Sequence, residues 1–208
     1  MIKRKQSKTC IAAIKHKGKV YMAADRRVSW DFGQCQSMPH PKVLKRNELI
    51  LAGTGDAALC TLIVKNMKFR PYSQFYEGHG FEDEYFNDIF YNDVIKGLKS
   101  KGFVDNNMGQ PILKIPHTMG VEVLIALNHK LYSMEICNPV RGDLPNGLVE
   151  IDELNFPYAT GCGGALSWGS LLTSEPLNWK PKGRLEIALR VAAQVSPGCD
   201  NVIDIVSE

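Results

Sequence analysis

Three side chains in the first fifth of the chain could together activate a hydroxyl group. Thr9 is a candidate nucleophile, Asp25 is a carboxylate and Lys42 is a cation. A threonine hydroxyl is a weak nucleophile at its own pKa. It needs a base, which can be a neutral amine, and a nearby positive charge that favours its deprotonated form. These residue types therefore predict covalent catalysis by Thr9, provided that the fold brings them together.

A predicted hairpin would supply part of that proximity. Residues 10–15 and 20–24 are mostly apolar and flank the tight turn Lys17-Gly18-Lys19, which predicts two antiparallel strands. In this register Thr9, at the start of the first strand, lies beside Asp25, at the end of the second. The returning chain could then bring Lys42 beneath both.

Short segments in a recognisable order extend the pattern from residue 9 to about residue 206. The segments that follow Thr9 are Met22-Ala-Ala-Asp-Arg-Arg27, Lys42-Val43, Leu51-Ala-Gly-Thr-Gly-Asp-Ala-Ala58, Tyr158-Ala-Thr-Gly-Cys-Gly-Gly164 and Val195-Ser-Pro-Gly198. Their order and spacing resemble those of a proteasome β-type subunit and of its bacterial relative HslV. The interval from Thr9 to Asp25 matches the family, and the interval from Asp25 to Lys42 is about one residue longer.

The resemblance implies an N-terminal-nucleophile hydrolase, a threonine-type endopeptidase with an α+β fold. The fold would be a four-layer αββα sandwich, with two stacked antiparallel sheets between helical layers. The resemblance also implies a homo-oligomeric ring that encloses a proteolytic chamber and acts on protein or peptide substrates. An ATP-dependent unfoldase is a possible partner, and no cofactor is implied.

The same resemblance assigns roles to individual residues, with the α-amine of the nucleophile acting as the general base. Thr9 would be the nucleophile, Asp25 and Lys42 the charged pair that lowers the local pKa, and Arg27 a further partner of Asp25. The backbone N–H of Gly55 would be the oxyanion donor. Ser196 would support the amine, and Cys162 would be a weak donor where the family has serine.

Three departures from the family pattern keep a second interpretation open. Lys8 precedes Thr9 where self-cleaving members usually have glycine, Cys162 replaces serine, and Ala193 stands where a carboxylate is often found. These features favour a catalytically silent subunit with a structural, assembly or partner-binding role, in which the three charges form a structural ion network. A third interpretation is an amidase or acyltransferase that uses Cys10, which would lie out of register with Asp25.

Composition is ordinary for a globular protein and excludes several function classes. The chain has 208 residues, 44% hydrophobic and 23% charged, with a net charge of +3, which is too small to predict nucleic-acid binding. We expect one domain over residues 9–208 after a basic leader of residues 1–8. The leader is interpreted as a disordered tail, a cleaved propeptide or a polyanion-binding arm.

Neither a membrane span nor a secretory signal is predicted, because no apolar run reaches about 18 residues and the leader lacks an apolar segment. The six cysteines are at positions 10, 35, 60, 137, 162 and 199. They show no CxxC pair, and neither they nor the five histidines have metal-ligand spacing. Reduced thiols in a cytoplasmic protein, with no metal, are therefore expected.

Periodicity and turn residues predict the remaining elements. Strands are predicted at 49–53, 120–126, 131–136, 148–151, 158–160 and 199–206, helices at 56–67, 84–102, 165–172 and 184–195, and loops at 28–41, 104–117 and 173–183.

Overall fold

The computed structural model describes residues 5–7, 9–30, 35–107, 110–113, 121–136 and 149–208. The strands are β1 Lys5–Ser7, β2 Cys10–His16, β3 Lys19–Asp25, β4 Arg27–Trp30, β5 Cys35–Ser37, β6 Val43–Arg46, β7 Leu49–Asp56, β8 Val104–Asn107, β9 Gln110–Leu113, β10 Val121–Leu127, β11 Lys130–Ile136, β12 Val149–Leu154, β13 Tyr158–Gly161 and β14 Ile203–Ser207. The α-helices are α1 Ala57–Cys60, α2 Glu82–Glu84, α3 Tyr91–Ser100, α4 Gly164–Ser174 and α5 Pro181–Val195. Thr61–Asn66 and Tyr85–Phe90 are π-helical, and Tyr72–Gln74 and Glu175–Leu177 are short 3₁₀ turns.

Two antiparallel sheets are stacked face to face. The larger has eight strands in the order β12-β11-β10-β7-β1-β4-β5, with β6 also paired to β7, and the smaller has the order β13-β2-β3-β14. A separate hairpin joins β8 to β9. The buried side chains between the two sheets form one core cluster that includes Ile11, Met22, Ile50 and Leu124.

Helices cover the outer faces of both sheets. On the smaller sheet, α4 and α5 bury Leu171, Leu185 and Leu189 against the face that carries Ala12 and Ile14. On the larger sheet, the segments 57–66 and 82–100 pack in a second large cluster. The predicted four-layer αββα sandwich is thus confirmed. Because β2 is covered on both faces, its sequence is continuously apolar and does not alternate.

The helix that follows β7 begins at a defined cap. Asp56 accepts hydrogen bonds from the backbone N–H groups of Ala58, at 2.9 Å, and Leu59, at 3.0 Å. A carboxylate in this position satisfies N–H groups that have no partner within the helix and interacts favourably with the helix dipole. This cap fixes the point where β7, which carries Gly55, turns into α1.

Most predicted elements are present, but three predicted loops are partly regular structure. Most of β4 and all of β5 lie within 28–41, β8 and β9 lie within 104–117, and a 3₁₀ turn with the start of α5 lies within 173–183. These strands have three or four residues each, too few to show an apolar period. Residues 31–34, 108–109 and 114–117 of these loops lie outside the described residues.

The basic leader also contains a strand. Residues 5–7 form β1, whereas a disordered tail was one interpretation of this segment. The predicted hairpin of 120–126 and 131–136 is present as β10 and β11. Within the described residues, no helix is both long and apolar enough to cross a membrane.

Candidate active site

The hairpin of β2 and β3 brings Asp25 next to Thr9. Ile11 pairs with Ala24 in the ladder, so the next residues outward are Cys10 and Asp25. The Cys10 backbone N–H donates to Asp25 Oδ1 at 2.9 Å. Thr9 and Asp25 are both fully buried. The predicted proximity of the hydroxyl and the carboxylate therefore follows directly from strand register.

Lys42 lies immediately before β6 and reaches under this hairpin. Its ammonium donates to Thr9 Oγ1 and also to the backbone carbonyl of Arg27. The distance from Lys42 Nζ to Asp25 Oδ1 is 3.9 Å. The structure thus brings the predicted hydroxyl, carboxylate and cation together, with the cation bonded directly to the hydroxyl oxygen.

Two backbone groups hold the Asp25 carboxylate in place. Oδ1 accepts from Cys10, and Oδ2 accepts from the N–H of Asp200 at 2.9 Å. Asp200 lies in the loop between α5 and β14, and its own carboxylate accepts from Ser37 and from the N–H of Val202. Both Asp25 oxygens are therefore acceptors, which fits the ionised form.

Burial sets the proton affinities of the charged pair. Desolvation raises the pKa of Asp25 from 3.8 to about 6, opposed by the Lys42 charge and the two backbone hydrogen bonds. Desolvation also lowers the pKa of Lys42, opposed mainly by Asp25. Each shift favours the neutral form of its group. A cation of lowered pKa beside the Thr9 hydroxyl can still stabilise the developing alkoxide and exchange a proton more readily than a surface lysine.

A tight turn after β13 holds the backbone of Thr9. The N–H of Cys162 donates to the carbonyl of Thr9 at 2.9 Å. Gly161 has φ +85°, and a Cβ there would lie only 1.9 Å from that carbonyl oxygen. Only glycine fits, both for the left-handed backbone and for the space. The sequence indicated this turn by its glycines, but not its contact with Thr9.

Ser196 and Cys162 lie on neighbouring segments of the same region. Ser196 caps the C-terminus of α5, and its hydroxyl donates to the backbone carbonyl of Cys162 at 3.5 Å. Ser196 is thus tied to the turn that holds Thr9. Its predicted role in supporting a free amine stays a prediction.

The predicted pairing of Arg27 with Asp25 is not present, and Gly55 is a ladder partner of the leader. The structure contains no ion pair between Arg27 and Asp25, both of which are described; the buried Nε of Arg27 has no hydrogen-bond partner. Arg27 is the first residue of β4, and its backbone carbonyl accepts from Lys42. Gly55 lies in β7, with φ +114°, just before the helix that Asp56 caps, and it is paired with Ser7 of the leader.

The leader strand β1 occupies the gap between β7 and β4. Gln6 is opposite Asp56 on one side and Ser29 on the other, and Ser7 is opposite Gly55. The backbone that precedes Thr9 is therefore built into the larger sheet. Gly55, the predicted oxyanion donor, is therefore a ladder partner of the leader, and Thr9 has no solvent exposure.

Cys10 is a poor alternative nucleophile in this fold. Its side chain belongs to the core between the smaller sheet and α4 and α5, and it is fully buried. Its Sγ lies 3.0 Å from Ser167 Oγ. Cys10 precedes Ile11 and comes opposite Asp25 in the ladder, so the prediction that it lies out of register with Asp25 is wrong. Only its backbone N–H contacts that carboxylate, because its side chain packs in the core. The structure therefore gives no support to a cysteine amidase.

Comparison with solved structures identifies proteins of the same architecture. BPH from Thiobacillus denitrificans in complex with epoxomicin superposes with a TM-score of 0.65 at 14% identity, covering 96% of this chain and 97% of that one. A second structure of BPH from the same organism gives a TM-score of 0.64 at 13% identity, with the same coverage. Eukaryotic HslV from Trypanosoma brucei gives 0.57 at 13% identity, covering 95% and 98%.

The chain shares the fold of BPH and HslV. Neither a protein-family model nor a curated protein sequence matches it. The fold implied by the sequence resemblance is therefore confirmed by structures that span almost the whole chain. At this level of identity the likeness concerns architecture, and the chemistry rests on the residues around Thr9.

Proposed function

We propose that this protein is a threonine-type endopeptidase subunit, latent until residues 1–8 are removed. The observation that carries the proposal is the hydrogen bond from Lys42 Nζ to Thr9 Oγ1, beside a carboxylate fixed by two backbone N–H groups. A buried cation bonded to a hydroxyl stabilises its alkoxide. This is the arrangement that a threonine nucleophile requires.

The proposed mechanism uses the free α-amine of Thr9 as base. The amine takes the Oγ1 proton as the oxygen attacks the substrate carbonyl, and then delivers that proton to the departing amine, leaving an ester on Thr9. Water hydrolyses the ester with the same amine as base. Lys42 stabilises the negative charge on Oγ1 in both steps, and Asp25 maintains the charge on Lys42.

The leader strand supports latency in two ways. It keeps the Thr9 nitrogen in a peptide bond, so no amine is available as base. It also fills the position between β4 and β7, where an extended peptide could pair with both strands by β-strand addition. Removal of the leader therefore supplies the base and opens a site for a polypeptide substrate.

A ring of identical subunits is part of the proposal. Large apolar side chains are exposed on and near α4 and α5, which form an outer layer. They are Leu166, Trp168, Leu172, Leu177, Trp179, Ile187 and Val195. An apolar outer layer of this kind is typical of a subunit interface. A peptidase whose site faced an enclosed chamber would need unfolded chains, so an ATP-dependent unfoldase is the corresponding proposed partner.

The alternative function is a silent subunit, and the integration of β1 into the larger sheet favours it. With the leader intact, β1 is paired with β4 on one side and with β7 on the other. In such a subunit the charges around Thr9 would serve only the fold.

A direct experiment separates these functions. The chain is prepared in full length and, from a cleavable ubiquitin fusion, with Thr9 as its first residue; a Thr9→Ala version of the second form is the control. We expect the form that begins at Thr9 to hydrolyse fluorogenic peptides and to bind epoxomicin in native mass spectrometry. The full-length chain and the alanine control should do neither. Equal inactivity of all three, with the fold retained, would establish the silent subunit.

A further inference from the structure

Two thiols are in contact beside the segments that hold Thr9 and Asp25. Cys162 Sγ and Cys199 Sγ are 3.5 Å apart, although 37 positions separate them in sequence. Cys162 lies in the turn after β13, and Cys199 lies in the loop between α5 and β14. Neither is part of a helix or strand, so both can adjust without disturbing one.

Gly163 makes this close approach possible. A Cβ at position 163 would lie 2.7 Å from Cys199 Sγ and 3.1 Å from the Cβ of Cys10. Any side chain there would push the Cys199 thiol away. The φ of this glycine is −104°, which other residues adopt readily, so space is the reason for glycine.

The two thiols differ in access to solvent. Cys162 is exposed, whereas Cys199 is only 2% exposed. A small oxidant therefore reaches Cys162 first and leaves Cys199 as the adjacent second thiol. This is the order of events in disulfide formation, in which one sulfur is oxidised and a neighbouring thiol resolves it.

We propose that Cys162 and Cys199 form an oxidative modification site that a peroxide converts to a disulfide. The Cys162 sulfur attacks one oxygen of hydrogen peroxide, giving a sulfenic acid and one water. The Cys199 sulfur then attacks the sulfenic sulfur, forming the S–S bond and releasing a second water. Two thiols are oxidised and one peroxide is reduced, so atoms and electrons balance.

The geometry requires a small movement. A disulfide has an S–S distance of about 2.0 Å, so the two sulfurs must approach by roughly 1.5 Å from the observed 3.5 Å. Rotation about the Cα–Cβ bonds of two loop residues can supply this. Cys10 is less suited, because its fully buried Sγ lies against Ser167 in the core of a helix–sheet interface.

The reaction should be slow at neutral pH and faster in alkali. The hydrogen bond to Cys199 and burial raise the pKa of Cys162. A hydrogen bond to Cys10 and burial raise the pKa of Cys199 to about 12. Since the thiolate is the nucleophile, oxidation should accelerate as pH rises from 7 towards 9. The site would thus respond to sustained oxidation and not to brief exposure.

The disulfide would join two segments that support the candidate active site. The Cys162 backbone donates to the Thr9 carbonyl, and the residue after Cys199 donates to Asp25 Oδ2. Bringing the two sulfurs together pulls on both contacts. Oxidation should therefore alter the position of Thr9 relative to Asp25.

Peptide mapping of the full-length chain tests the chemical step. The protein is treated with hydrogen peroxide at pH 7 and pH 8.5, blocked with N-ethylmaleimide in denaturant, digested and analysed by mass spectrometry. We expect a linked pair of peptides containing Cys162 and Cys199, two hydrogens lighter than their sum, more abundant at pH 8.5 and removed by dithiothreitol. The matched control, Cys35→Ser, removes a thiol 3.8 Å from the Pro197 carbonyl and should keep the link.

Three results of the peptide mapping would contradict the proposed disulfide. A link from Cys199 to Cys10, a Cys162 oxidised to sulfinic acid with Cys199 still blocked by maleimide, or two blocked thiols after prolonged treatment would each overturn the proposal. Cys199→Ser should abolish the link and leave Cys162 as a sulfenic or more oxidised species.

A second measurement tests the effect on the site, and this part rests on the proposed function. In the form that begins at Thr9, peroxide should slow peptide hydrolysis at least about threefold, and dithiothreitol should restore it. The Cys199→Ser form, compared with its own untreated sample, should be insensitive. A disulfide that forms without changing hydrolysis overturns only the effect on the site. A form that is inactive before any treatment contradicts the proposed function and leaves the mapping result standing.

Discussion

Lys42 is the residue on which the proposed chemistry of Thr9 depends most. It is the cation bonded to the hydroxyl oxygen, and its side chain is only 11% exposed. Shielding from water strengthens its effect on any charge that develops on that oxygen. The carboxylate of Asp25 lies 3.9 Å from the Lys42 ammonium, and in the proposed mechanism it acts through that cation.

Replacing Lys42 with methionine should lower the hydrolysis rate of the form that begins at Thr9 by about 100-fold or more. Methionine keeps the apolar stem but removes the charge that stabilises the alkoxide. The fold should survive, since Asp25 keeps both backbone donors and can become protonated. The measurement is kcat together with a thermal melt. Lys45→Met, an exposed change in β6, is the control and should leave both unchanged; an equal loss of rate there would contradict the prediction.

The rate should rise with pH through about 6. Burial raises the pKa of Asp25 to about 6, so the carboxylate is largely neutral below that value and ionised above it. The ionised form stabilises the positive charge on Lys42. A profile of kcat/KM from pH 4.5 to 8 should show this ionisation. A rate that is flat between pH 5 and 7, in a protein that remains folded, would show that Asp25 is not required in its charged form.

Asp25→Asn should destabilise the folded protein by about 1–3 kcal/mol. Both carboxylate oxygens accept backbone N–H groups, and an amide can offer only one acceptor there. Its NH₂ would face a second donor. Denaturant unfolding of the full-length chain measures the loss. Asp152→Asn, at an exposed position in β12, should change stability by less than about 0.5 kcal/mol.

At the scale of elements, the turn after β13 decides where Thr9 lies. Gly161 touches the Thr9 carbonyl more closely than any side chain would permit, and Cys162 donates to the same atom. Thr9 lies at the start of the β2–β3 hairpin, but its backbone is held in place by this turn. A disturbance in the turn should therefore affect the site as well as the fold.

Gly161→Ala tests this, with Gly78→Ala as a closely matched control. The two glycines have φ of +85° and +83°, but a Cβ at position 78 meets nothing within 4 Å. The control should cost about 1–2 kcal/mol for the left-handed backbone alone. Gly161→Ala should cost more and should also abolish hydrolysis, because its Cβ displaces Thr9. Equal losses of stability, with activity retained, would show that the contact is unimportant.

The sequence predicted the parts of the site that depend on strand register and side-chain type. Thr9 and Asp25 followed from the apolar hairpin, and Lys42 from its position after the returning loop. The Asp200 N–H donor was not predictable, because a backbone group has no sequence signal and its partner is 175 positions away. The Arg27–Asp25 pairing is not present; Arg27 meets the site through its backbone carbonyl, a contact that has no sequence signal. The strands of 104–107 and 110–113 were missed because each has only four residues.

At the scale of the whole molecule, the leader strand links parts of the larger sheet that have no other ladder between them. In the order β7-β1-β4-β5, β1 is the only strand that joins β4 to β7 among the paired strands described. The larger sheet of the full-length chain therefore differs from the larger sheet that a subunit without residues 1–8 would have.

Hydrogen–deuterium exchange should detect this difference. In the form that begins at Thr9, the amides of β4 and of residues 55–56 should exchange faster than in the full-length chain, by about tenfold or more, because their partners in β1 are gone. The β10–β11 hairpin is the internal reference and should not change. Unaltered exchange in β4 would mean that another segment replaces the leader, or that β1 does not protect it.

Under the proposed function, loss of the leader has a consequence for when maturation can safely occur. The edge of β4 and residues 55–56 of β7 would lose their ladder partners in β1. Open strand edges of this kind recruit strands from other molecules and lead to aggregation. A subunit that shed residues 1–8 while still alone would be prone to such mispairing, so cleavage is best delayed until neighbouring subunits shelter the opening.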